Sequence, residues 1–165
     1  MFAKYNPHNN KLYNNLVKLS RNIYFYRELK LKDNFESRII LIFLHYSIIM
    51  TSLTTNKKIK FPQHIFDNIF QNIEYHLREL GYGDVAVNKK MKILNKIFYN
   101  ILLKINLNPK SDFKINKDLL LDHFSDSPID AGNMSKLCTY FVDFHNYCFE
   151  LDLNTVIEGK INYKL

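Results

Sequence analysis

Tryptophan is absent from the chain, and glycine, proline and cysteine are scarce: 4 Gly, 4 Pro and 2 Cys in 165 residues. The glycines at 81, 83, 132 and 159 form neither a phosphate-cradling loop nor a dinucleotide fingerprint, since both need glycines at fixed spacing for close backbone approach. Cys138 and Cys148 stand ten apart on one expected helix, too far along its axis to bridge. That argues against a disulfide framework and for a reducing compartment. Long apolar runs are missing too. The longest, Ile39 to Met50, contains His45, Tyr46 and Ser47 and falls short of the roughly 20 residues a bilayer span needs, so a buried core helix is expected there. Met1 to Pro7 carries neither an apolar signal core nor an Arg-rich amphipathic repeat, so no secretory signal or transit peptide is expected.

The catalytic vocabulary is equally thin. There is no nucleophile elbow and no HExxH pair. Cys138, His145 and Cys148 share a helix, and His145 and Cys148 are three apart, but a zinc site needs further ligands from elsewhere. Glu74, Glu79 and Asp84 surround Arg78, which suits ion pairing and helix capping better than acid–base chemistry. Neither an enzyme, a metal nor a cofactor is expected. A helical enzyme acting on a lipid-like substrate would require paired carboxylates facing a pocket, and none is evident.

What the chain does have is helical periodicity. It reads as one all-α domain, a bundle of about six helices, long enough to bury roughly two thirds of its unfolded surface. A first helix is expected from about Asn9 to Glu28 on Leu12, Leu16, Leu19, Ile23 and Tyr26. A second, Phe35 to Leu53, is apolar nearly all round and belongs in the middle of the bundle. Arg38 and His45 lie seven apart on it, on nearly one face; a lone His on such a helix is more often a hydrogen-bonded core residue than a ligand. Thr54 to Lys60 reads as a polar loop, and Pro62 opens the next helix. Past the connection Asn106 to Lys114, a short fifth helix on Ile115, Leu119, Leu120 and Phe124 precedes a last one from about Met134 to Asp152. Residues 153–165 are weakly patterned, either loose or laid along the bundle.

The organising element is a predicted antiparallel helix hairpin at the centre of the chain. Ile65, Phe66, Ile69, Phe70, Ile73, Leu77 and Leu80 draw one apolar stripe; Met91, Leu94, Phe98, Ile101, Leu102 and Ile105 draw the next. Between them Gly81 sits where a helix end wants positive φ, and Asp84 suits the positive end of the following helix dipole.

Charge is divided unevenly. Residues 1–111 hold 18 Lys and Arg against 7 Asp and Glu, and 112–165 hold 5 against 9, so +11 and −4 make the net +7. Between Asp84 and Asp112 there is no acid, but there are six lysines: Lys89, Lys90, Lys92, Lys96, Lys104 and Lys110. Such a field attracts RNA, anionic lipid or an acidic protein. Asn, Ile and Lys are abundant throughout, however, and basic surface is also what that composition alone would produce.

The run Phe70 Gln71 Asn72 Ile73 Glu74 Tyr75 His76 Leu77 Arg78 Glu79 Leu80 Gly81 Tyr82 Gly83 Asp84, with Val87, Lys89 and Lys90 and later Phe98 and Tyr99, resembles the signature of the ubiquinol–cytochrome c chaperone family. Arg38 to His45 resembles a second motif of that family, and Arg21 to Tyr26 its first helix. The resemblance covers about residues 10–105. It implies an all-α assembly factor that binds newly made cytochrome b during assembly of respiratory complex III. The implied partners are cytochrome b as client, with the ribosome, an anionic membrane surface and a second assembly factor as further candidates, and neither a cofactor nor a small-molecule substrate. The implied setting is the bacterial cytoplasm beside the inner membrane, or else the mitochondrial matrix. On this reading Arg38, His45, Arg78, Glu79, Gly81, Gly83, Asp84, Phe98 and Tyr99 either hold the hairpin geometry or touch the client, and Lys89, Lys90, Lys92 and Lys96 form a basic docking face. A competing reading is a basic helical RNA- or ribosome-binding protein with no respiratory client. Salt discriminates the two, because RNA binding through several lysines weakens steeply with salt and apolar capture does not.

Overall fold

The computed structural model describes residues 10–106 and 113–165, which are helical with no strand. The expected N-terminal boundary at Asn9, the signal-free N-terminus and most of the Asn106–Lys114 connection lie outside the described residues.

Helix α1 (Lys11–Ser20) starts on Asn10, whose side chain accepts the Tyr13 N–H at 2.8 Å. The single first helix expected to reach Glu28 is instead two. The Asn22 side chain takes the Tyr24 N–H at 3.0 Å and starts a separate helix α2 (Ile23–Arg27). This local bond competes with the helical ladder. The Ser20 carbonyl, which a continuous helix would have offered to Tyr24, receives the Tyr26 hydroxyl at 2.6 Å, so the corner is closed on both sides.

Helix α3 (Phe35–Thr51), capped by Asn34, is the middle of the molecule. Thirteen of its residues are buried, and it packs against α1, α5 and α7. Helix α3 thus holds the middle place that its apolarity predicted, and the antiparallel hairpin, also expected as a central element, packs beside it. A π-helical turn, Ser52–Asn56, continues α3 where a polar loop was expected. The segment Phe35–Thr55 is long and apolar enough to cross a membrane by length and composition, yet 78% of its apolar window is buried inside the protein. Two aromatic clusters flank it. Phe43 and Tyr46 meet Phe66, Phe70 and Phe98 on one side. On the other, His45 meets Phe25, Tyr140, Phe141 and Phe144.

Helices α4 (Gln63–Glu79) and α5 (Asp84–Asn106) are antiparallel, since Phe66, early in α4, packs on Phe98 and Tyr99, late in α5, at 5.5 and 6.0 Å between ring centroids. Helix α6 (Lys117–His123) follows, then α7 (Ala131–Cys148), which starts on Asp130, earlier than the expected Met134, and ends at Cys148.

The tail is laid along the bundle. Asp152 caps a short α8 (Leu153–Ile157), so the described residues contain two α-helices more than the expected six, one from the Asn22 break and one here. Asn15 of α1 grips the Ile161 backbone at both its N–H (2.9 Å) and its carbonyl (3.1 Å). Gly159, at φ +64°, turns the chain back, and a Cβ there would stand 2.5 Å from the Lys11 carbonyl oxygen. Gly159→Ala is accordingly expected to cost about 1–2 kcal/mol from the left-handed backbone alone, and to make residues 158–165 cleavable in limited proteolysis. An unchanged melt and an unchanged digestion pattern would count against this docking of the tail.

Candidate functional site

The α4–α5 turn is built by local chemistry. The Tyr82 N–H bonds the Leu77 carbonyl (3.3 Å) and the Gly81 N–H bonds the Arg78 carbonyl (3.0 Å), with Gly81 at φ +95°, so α4 ends in a Schellman motif. Arg78 spans the turn. Its guanidinium binds Glu74 one helical turn back at 3.0 Å and also Asp84, the first residue of α5, and the two carboxylates hold its pKa above the ordinary guanidinium value. The Asp84 carboxylate thus faces Arg78, while the Gly83 carbonyl accepts the Val87 N–H. Glu79 is exposed at the end of α4. Gly83 avoids the left-handed region and has open space around it, so neither its φ nor its surroundings demand glycine.

From this turn α5 presents three faces. Val87, Phe98, Ile101 and Ile105 are buried against the bundle. Opposite them, within an arc of ~80° at ~100° per residue, stand Val85, Lys89, Lys92, Lys96, Tyr99 and Leu103. Three of these are apolar and exposed: Val85 at 84%, Tyr99 at 55% and Leu103 at 62%. None of the three lysines enters an ion pair among the described residues. Lys90 lies ~100° round the helix from Lys89. Its ammonium sits 4.6 Å from the centre of the Tyr82 ring, so it is separate from the other three. The exposed Val85 and Leu103 were not singled out in the sequence, although their spacing with Lys89, Lys92 and Lys96 puts them in one file.

The other motif residues fall elsewhere. Phe98 is fully buried. Arg38, half-exposed at the start of α3, pairs with Asp33 through Nε (2.9 Å) and Nη2 (2.6 Å) and borders a surface cleft with Arg21 and Arg27. His45, two turns further on, is entirely enclosed. Its Nδ1 lies 2.7 Å from the Leu41 carbonyl, which can only accept, so the proton is on Nδ1 and the Tyr140 hydroxyl donates to Nε2 at 2.7 Å. Burial pushes the His45 pKa down to about 4 and keeps the ring neutral. Lys57, in the stretch read from sequence as a polar loop, gives its ammonium to the Leu151 carbonyl.

The Cys138, His145 and Cys148 set is taken up by packing. His145 stacks on Phe113 at 4.0 Å, Cys148 is buried with its thiol pushed up in pKa, and no group of three or more His, Cys, Asp or Glu among the described residues is placed to hold a metal.

Residues 27–161 match the family model of the ubiquinol–cytochrome C chaperone. The chain belongs to the ubiquinol–cytochrome c chaperone family. The match runs well past the motif-bearing first two thirds and takes in α6, α7 and α8. The fold is similar to that in the crystal structure of the Cbp3 homolog from Brucella abortus, with a TM-score of 0.66 and 22% identity, covering 93% of this chain and 87% of that one. No curated protein sequence matches the chain. Membership of this chaperone family points to a protein client in the assembly of ubiquinol–cytochrome c reductase, and away from an enzyme.

Proposed function

We propose that the protein binds newly made cytochrome b and promotes its assembly into ubiquinol–cytochrome c reductase, complex III, working against the membrane face from which the client's loops emerge, in a bacterial cytoplasm or a mitochondrial matrix. The family match over residues 27–161 carries this reading. The outer face of α5 supports the membrane part. Lysines in file with Val85, Tyr99 and Leu103 suit anionic headgroups together with the acyl boundary just beneath them, as on an interfacial basic helix. A second assembly factor is a further candidate partner.

The same face favours one alternative, contact with ribosomal RNA, since a row of lysines beside an exposed tyrosine ring also suits a phosphate backbone and a stacked base. The deciding experiment is affinity recovery from detergent-solubilised membranes after in-cell crosslinking. It compares the native chain with the triple variant Lys89→Glu, Lys92→Glu, Lys96→Glu, and with Lys136→Glu, an exposed lysine of α7, as the charge change off that face. Cytochrome b is expected with the native chain and with Lys136→Glu, at least fivefold less with the triple variant. Recovery of ribosomal RNA without any complex III subunit would promote the alternative.

A further inference from the structure

A second surface on α5 differs in sign from its basic face. Between the start of α3, the flank of α5 and the end of α6 lies a groove of about 350 Å³. Its apolar wall includes Ile40, Ile97 and Ile93, the last 51% exposed. Its rim carries Glu36, Asp122 and Asp126, with Lys90 the one lysine or arginine among the lining residues. The three rim carboxylates are exposed and enter no ion pair among the described residues. In a chain of net charge +7 this is a local reversal of field, placed around an apolar slot whose size falls in the range of ligand sites.

We infer that this groove seats an apolar helical segment flanked by lysine and arginine, the juxtamembrane stretch of a membrane-protein client. Loops that stay on the side of synthesis carry an excess of Lys and Arg next to the apolar spans. A helix that enters a groove does so through anchors at i, i+3, i+4 and i+7. The wall around Ile93 meets the anchors, and the acidic rim meets the flanking cations and rejects acidic segments. The two flanks of α5 then divide the work. Lys89, Lys92 and Lys96 face membrane phosphates, and the neighbouring groove opens beside the headgroup layer, where such a segment emerges. This inference rests on the chaperone reading and names the surface and chemistry of its client contact.

The test uses the full chain and two fluorescein-labelled 20-residue peptides, each with leucines at i, i+3, i+4 and i+7, one with three lysines at either end and the other with three glutamates. By fluorescence anisotropy the lysine-ended peptide is expected to bind at least tenfold more tightly. Ile93→Glu is expected to lower that affinity at least tenfold, and the double variant Asp122→Lys, Asp126→Lys to reverse the preference between the peptides. These side chains are exposed, so thermal melts should be unchanged, and reversal is a readout that misfolding does not produce. Equal binding of both peptides, no binding of either, or unchanged affinity in Ile93→Glu overturns the inference. Crosslinked recovery separates it from the reading beneath it. If Ile93→Glu recovers cytochrome b as well as the native chain does, the groove assignment falls and the chaperone reading stands. If the native chain recovers no cytochrome b while the double variant still reverses peptide preference, the groove stands and the client assignment falls.

Discussion

Phe98→Ala is expected to lower the free energy of unfolding by about 3–5 kcal/mol, whereas Tyr99→Ala, one residue on, changes it by less than ~1 kcal/mol. The two aromatics stand side by side in the motif and face different worlds. Phe98 has no exposed surface, and its ring lies 5.2–5.8 Å from those of Phe43, Tyr46, Phe66 and Phe70, which come from α3 and α4. Removing it opens a cavity where three helices meet, in a core that relaxes only partly. Tyr99 is over half exposed and points out with Lys96 and Leu103, so its loss should leave the fold intact and weaken surface contacts instead. Urea unfolding followed by circular dichroism measures both. A cost below about 1.5 kcal/mol for Phe98→Ala would mean that the cluster is not the joint between α3, α4 and α5.

Acid is expected to destabilise the protein through His45. In the unfolded chain an imidazole takes a proton near its ordinary 6.5; in the folded chain it does so only near 4, because burial strips the charged ring of water and the Leu41 carbonyl, which favours the protonated form, offsets only part of that cost. The unfolded state therefore binds more protons between these values. Stability is intact above about pH 6.5 and falls as pH drops towards 4, by about 3 kcal/mol from this one group. Burial lowers the pKa of His123 and His145 as well, and their effect has the same sign. His45→Gln keeps a donor for the Leu41 carbonyl and an acceptor for Tyr140 but does not titrate. It should be less stable than the native chain at pH 7.5 and should close or cross that gap by pH 4.5. Parallel denaturation profiles at pH 7.5, 5.5 and 4.5 would remove His45 as the source.

The parts of the fold that were readable in sequence are those whose cause lies within a few residues. Gly81 ends α4 because its backbone must enter the left-handed region for two specific hydrogen bonds, and a glycine after an apolar stripe announces that. The break at Asn22 was missed because the helical stripe runs on through Ile23 and Tyr26, while one side-chain oxygen diverts the Tyr24 amide. The docking of the tail was left open because its partner, Asn15, is 146 residues away from Ile161. At the candidate surfaces, Arg78 and Asp84 meet within one turn of chain and were visible as a pair. Three of the four lysines of the basic face share one outward arc, and the fourth turns towards Tyr82.

By itself the sequence determined an all-α chain, the α4–α5 hairpin with its glycine turn, a basic α5 and the family motif, because helix period, capping and charge act over spans of a few residues. Tertiary packing decided the rest. Burial is a property of neighbours brought together from far apart, so although apolarity put α3 in the middle and Phe98 on a buried stripe, only the packed structure could give His45 its Tyr140 partner and set Phe98 among Phe43, Tyr46, Phe66 and Phe70. Only it could bring the acids of α3 and α6 against Ile93 of α5, where a mostly basic molecule acquires an acidic, apolar-walled groove.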